Sequence, residues 1–171
     1  MNKINHFKEM GHILNYIKNY PQFLSGFTSG EGCFTAYMGV DTSLTWGLSP
    51  NCEFSITQNS GDLLLLDAFN NYFEGVGKVY DKKDGVHVFM IRNIINIKKF
   101  IIPFFIEHPL VGTKSYEFEK FVKLVNMISE KKHIKPSPLV IQKETYIEMA
   151  IICKNLNSKM VNPKKIGRAH V

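Results

Sequence analysis

Residues 24–34 read Leu24-Ser25-Gly26-Phe27-Thr28-Ser29-Gly30-Glu31-Gly32-Cys33-Phe34. Gly26 and Gly30, four apart, lie on one face of a helix; Gly32 is the expected residue just past its end, and Glu31 sits immediately before the stop. Glycine inside a helix costs about 1 kcal/mol relative to alanine. A carboxylate in the last turn faces the unfavourable end of the macrodipole. A segment that breaks both rules serves something other than its own stability.

The helix carrying this stretch is expected over Gln22 to Gly30, with Pro21 at its start and Phe23, Leu24 and Phe27 as apolar anchors. Before it, Phe7, Met10, Leu14 and Ile17 step at helical spacing over residues 5–18. After it, Cys33 to Val40 and Asn51 to Gln58 alternate as strands, joined through Asp41–Pro50. Asp62 to Phe73 returns to helical spacing, with Ser60 or Asp62 as the candidate cap. A hairpin follows, Gly77–Asp81 and Val86–Arg92 around Asp84-Gly85. Further helices are expected at Ile97–Phe105, where Pro103 perturbs the run, at Ser115–Lys131 and at Gln142–Leu156. Two hairpins, each backed by a helix, make an α+β domain with one antiparallel four-stranded sheet. Its uncovered face would carry Thr35, Tyr37, Asn51, Glu53, Ser55, Thr57, Lys78, Tyr80 and Lys82. Such a face fits a DNA major groove; a merely solvated sheet face is the plainer alternative.

At 171 residues and 44% hydrophobic content the chain is one domain with a real core. The organisation expected is an N-terminal extension over 1–19, a domain over 20–158 and a basic tail over 159–171. Of the net charge of +6, four positive charges (Lys159, Lys164, Lys165, Arg168) lie in that tail, leaving +2 for residues 1–158. Anion binding by the body therefore depends on where its cations stand. Cys33, Cys52 and Cys153 are far apart and form no CxxC pair, so reduced thiols are expected. The six histidines have no metal-ligand spacing. The N-terminal residues lack the apolar stretch of a signal peptide. The most apolar run, Ile101 to Ile106, is interrupted by Pro103 and too short to span a bilayer, so no membrane partner is expected. Abundant Ile, Asn, Lys and Phe fit an AT-rich organellar gene. Ile166-Gly167-Arg168-Ala169-His170-Val171 back-translates as ATC GGA AGA GCA CAC GTC, the start of a common sequencing-library adapter. Those residues are read as translated adapter, which leaves the native C-terminus open.

The 24–34 stretch and this element order resemble the LAGLIDADG homing endonucleases. The likeness continues through Phe54-Ser55-Ile56-Thr57-Gln58, Tyr72–Val79, Pro103-Phe104-Phe105, His108-Pro109-Leu110, Gly112-Thr113-Lys114 and Phe118, covering about residues 20 to 135. The family usually has Asp where this chain has Ser29; the acid credited with metal binding, here Glu31, is present.

The resemblance implies an αββαββα fold and a site-specific double-strand DNA endonuclease that promotes intron mobility in a mitochondrion, or alternatively a chloroplast. An intron-RNA maturase and a decayed DNA-binding relic are the competing readings; an acid at a helix end favours the nuclease. Two motif helices cross at the centre of such proteins, and this chain has one, so a homodimer on a long near-palindromic target is implied. Leu24, Gly26, Phe27 and Gly30 would form that interface, the glycines letting the backbones approach. Glu31, with Gly30 beside it, would hold Mg²⁺ (or Mn²⁺) against the scissile phosphate. Gln58 would position water, and Lys114 would stabilise developing charge. A solvated glutamine and an ordinary surface cation are the alternatives for these two. Lys78, Tyr80, Lys82 and Arg92 are candidates for base or phosphate contacts.

Overall fold

The computed structural model describes residues 3–157, with side chains from Lys8 to Leu156. The basic tail and the adapter reading lie outside the described residues. The elements are α1 (Lys3–Asn19), α2 (Gln22–Glu31), β1 (Gly32–Val40), β2 (Leu48–Asn59), α3 (Leu63–Tyr72), β3 (Lys78–Asp81), β4 (Val86–Ile91), α4 (Ile94–Asn96), α5 (Ile102–Glu107), α6 (Thr113–Glu130) and α7 (Leu139–Asn157). The strands form one antiparallel sheet in the order β1-β2-β4-β3. Residue parity sends Phe34, Ala36, Cys52, Phe54, Ile56, Phe89 and Ile91 toward the helices, all nearly or fully buried.

Phe34 is the hub of that core. Its ring lies 5.3 Å from Phe54, 5.9 Å from Phe105, 5.4 Å from Phe118 and 5.0 Å from Phe121. Burying each such ring is worth about 1.5–3 kcal/mol. Because Phe34 stands two residues after Gly32, the packing that orders the core also orders the end of α2. On the other flank α1 packs along α3 and places Ile17 in the core.

Three local expectations change. Gly32 is not a left-handed helix terminator: it is extended (φ −74°, ψ 153°) and begins β1 directly. Glycine is required there by proximity, since a Cβ would stand 2.7 Å from the Thr28 carbonyl oxygen. Neither Ser60 nor Asp62 caps α3 with its side chain; Ser60–Asp62 form a 3₁₀ turn instead. The helix around Pro103 is continuous but broken in character. A π-helical turn, Ile97–Ile101, absorbs the mismatch, and Pro103 then sits in the first turn of α5, where its missing N–H leaves no helical bond unmade. Among the described residues, no helix is long and apolar enough to cross a membrane.

Candidate nuclease site and sheet interface

Helix α2 has two faces of opposite character. Leu24, Ser25 and Thr28 are buried against the chain's own core, while Gly26, Gly30 and Glu31 are exposed. A Cβ added at Gly26 or Gly30 would meet nothing within 4 Å. Leu24 is therefore withdrawn from the expected interface set: at 0% exposure it fills this chain's core and has nothing left for a partner. Phe27 is half-buried, its ring 5.4 Å from Phe69 and 6.0 Å from Phe23. The exposed edge continues onto an aromatic group that the motif did not announce. Tyr16, Tyr20 and Phe23 are all at least one-third exposed, and Tyr16 lies 5.0 Å from Tyr20 and 5.6 Å from Phe23.

The exposed Glu31 carboxylate closes α2. Beside it arrives Lys114, from the start of α6. Its Nζ donates to the Gly32 carbonyl at 2.7 Å, a bond between residues 82 apart in sequence, and pairs with Glu117 at 3.0 Å. The side chain is only 16% exposed. An ordinary surface lysine would be solvated; this one is pinned to the carbonyl of Gly32, the residue after Glu31.

Gln58 approaches from the sheet. The register pairs Gly32 with Ile56, so Gln58 lies two residues beyond, level with the end of α2 and on the helix-facing side of β2. Its partner on β4 is His87, and His87 pairs in turn with Asp81 on β3. His87 Nδ1 and the Asp81 carboxylate are 2.8 Å apart. His87 and Asp81 were not among the sequence candidates. Only the β2–β4–β3 register places them in line with Gln58.

Among the described residues, no three His, Cys, Asp or Glu side chains gather into a metal-holding cluster. The donors at the end of α2 are the Glu31 carboxylate and terminal helix carbonyls such as that of Gly30, which lack an intrahelical N–H partner. This oxygen set fits a hard cation such as Mg²⁺, which takes one or two carboxylates together with substrate phosphates. It offers none of the histidine or cysteine ligands on which Zn²⁺ sites are mostly built.

On the opposite side of the sheet, the pairs Thr35–Glu53 and Tyr37–Asn51, together with Thr57, Lys78 and Tyr80, share one face as expected. Residue parity continues Lys82 and Arg92 on it. Ser55 belongs to the same face but is corrected as a reading residue. It is 7% exposed, a short side chain in a central strand between Cys33 and Met90. The middle of the face is also less polar than expected, because Val88, 1% exposed, lies between Thr57 and Tyr80. Arg92 Nε donates to Glu53 at 2.7 Å, which holds the guanidinium pKa above its ordinary value.

The family model described as "LAGLIDADG endonuclease" matches residues 24–125. The "Probable intron-encoded endonuclease 2" of Neurospora crassa is 29% identical over 114 residues, covering 66% of this chain and 25% of that protein. The "Probable intron-encoded endonuclease aI3" of Dictyostelium citrinum is 29% identical over 105 residues, 61% of this chain and 38% of that protein. The chain thus spans well under half the length of these curated relatives. Among solved structures, the homing endonuclease I-TnaI superposes with a TM-score of 0.72 at 29% identity, covering 86% of this chain and 93% of that one. The meganuclease I-SmaMI, bound to an uncleavable DNA, superposes with a TM-score of 0.72 at 26% identity, covering 80% of this chain and 44% of that one.

Proposed function

Because this chain belongs to the LAGLIDADG endonuclease family, we propose that it is a homing endonuclease, supplying one half of a double-strand DNA cutter encoded within an organellar, most simply mitochondrial, intron. The observation that carries this reading is the placement of Lys114 on the carbonyl of Gly32, the residue after Glu31, by a bond linking residues 82 apart. A basic side chain anchored next to the residue that bears an exposed acid at a helix end answers to phosphodiester chemistry, and the same bond also ties the start of α6 to the start of β1.

In this reading a second motif helix, most simply from a second copy, lies along Gly26 and Gly30. Two Glu31 carboxylates then flank the two-fold axis. A divalent cation, Mg²⁺ or Mn²⁺, bound there with the scissile phosphate supplies Lewis-acid polarisation and a more acidic water. Lys114 has three N–H donors; two are engaged by Gly32 and Glu117, and the third is available to a phosphate oxygen as negative charge grows in the transition state. The Gln58 amide, both donor and acceptor, orients water from the sheet side. Tyr37, Thr57, Lys78, Tyr80 and Lys82 meet base edges and phosphates of a long, near-palindromic duplex.

The deciding experiment is Mg²⁺-dependent cleavage of duplex DNA carrying the joined exons that flank the encoding intron. Wild type is expected to cut both strands, and Glu31→Gln to slow cutting at least about 100-fold, as removal of a single key electrostatic group does. Because Glu31 is exposed, that variant should unfold within about 0.5 kcal/mol of wild type. Equal cutting by Glu31→Gln, or no cutting by wild type, refutes the proposal.

A further inference from the structure

Ser29 stands where the family's usual acid is missing, and its hydroxyl both donates and accepts. Its Oγ donates to the Ser25 carbonyl at 2.8 Å and accepts from the Val111 backbone N–H at 3.2 Å. Ser25, 5% exposed, donates its own hydroxyl to the His108 carbonyl at 2.7 Å. Both bonds clip the 108–112 loop onto α2 across about eighty residues of sequence, at separations of 82 and 83. The loop leads straight into α6, and three residues past Val111 stands Lys114, whose ammonium returns to the Gly32 carbonyl, where β1 begins just past α2. Lys114 is therefore held at two places that flank Glu31 in sequence, through the serines on α2 and through Gly32 at the start of β1.

The chemistry of the contact suits a hydroxyl. Serine offers one donor and two acceptor lone pairs. With the donor on Ser25 O, a lone pair is left for Val111 N–H. A carboxylate could accept from Val111 but would face the Ser25 carbonyl with no hydrogen to give.

We propose that Ser29 is a positioning residue that sets the reach of Lys114 toward the scissile phosphate by fixing the 108–112 loop. The inference rests on the nuclease reading above. It makes Ser29 a working substitution instead of a scar of lost activity. Small displacements of a positioned group are costly to rate, while one hydrogen bond is worth about tenfold at most in an equilibrium.

The test is a double-mutant cycle on single-turnover cleavage of the joined-exon duplex, with metal-free duplex affinity measured alongside. Ser29→Ala is expected to slow cleavage about tenfold while leaving metal-free affinity within about twofold, and Ser29→Thr, which keeps the hydroxyl, is expected to restore the rate. In a Lys114→Met background, Ser29→Ala should cost less than about twofold, because the residue through which it acts is gone. Equal slowing in both backgrounds, or none in either, overturns the inference. A wild type that does not cleave refutes the nuclease reading instead. In that event the ¹⁵N signal of the Lys114 ammonium, recorded without DNA or metal, still decides the positioning claim: a shift or broadening in Ser29→Ala supports it, and an unchanged signal overturns it.

Discussion

Replacing Gly26 and Gly30 by alanine separates what α2 does for this chain from what it does for a partner. A Cβ at either position enters open space, so neither substitution meets a steric penalty within the chain. Gly26 lies mid-helix in Gln22–Glu31 and should gain about 0.8–1 kcal/mol as alanine; Gly30, in the last turn, should gain less. The double variant is thus expected to be about 1–1.5 kcal/mol more stable when measured at dilution, raising its melting temperature by a few degrees for a domain of this size. The proposed assembly runs the other way. Each methyl appears twice across a two-fold axis, and overpacking a close helix contact costs about 1–3 kcal/mol. Self-association should therefore weaken by at least about 30-fold, and cleavage with it. Urea unfolding at low concentration reads the first quantity, and sedimentation velocity across a concentration series reads the second. If the variant is less stable than wild type at dilution, the open geometry at the glycines is wrong. If it is more stable yet associates as tightly as wild type, the glycines do not serve a helix crossing.

Other outcomes follow from burial and charge. Burial pushes the Cys52 thiol up to about 12 and the Cys153 thiol up to about 11, so in native protein at about pH 8 iodoacetamide should label only the half-exposed Cys33, with all three labelled in urea; comparable labelling of Cys52 would contradict the packing. His133 is 6% exposed with its Nδ1 unpartnered, and burial holds its pKa below the ordinary 6.5. The unfolded chain gains a proton near that pH and the folded chain does not. Stability from this group is therefore fully present above pH 6.5 and declines as pH falls below it; His133→Phe should flatten the decline in melting temperature over about pH 7 to 5. Glu53 holds Arg92 in an ion pair at 2.7 Å. Glu53→Gln should release that charge to the duplex, tightening metal-free DNA binding and steepening its salt dependence by about one counterion, whereas an unchanged slope would place Arg92 off the DNA.

Much of this protein is legible in its sequence because much of it is set by local rules. Alternation over Cys33–Val40 and Asn51–Gln58 assigns faces to side chains before any partner strand is known, since the period of a strand is two; the strands observed are Gly32–Val40 and Leu48–Asn59. The glycines and the acid of residues 24–32 declare a helix shaped for something other than stability, and the same residues carry the family likeness. Those rules reach only a few residues along the chain. That Leu24 turns into the core while Gly26 turns out depends on how α2 packs, and that Ser55 sinks between Cys33 and Met90 and that His87 stands opposite Gln58 depend on sheet order and register. The bonds from Lys114 to Gly32 and from Val111 to Ser29 each close a separation of 82 residues. They exist because the core around Phe34 stacks α6 against the start of β1. A sequence lists the donors and acceptors; only the packed fold brings those from distant segments within hydrogen-bonding distance of one another.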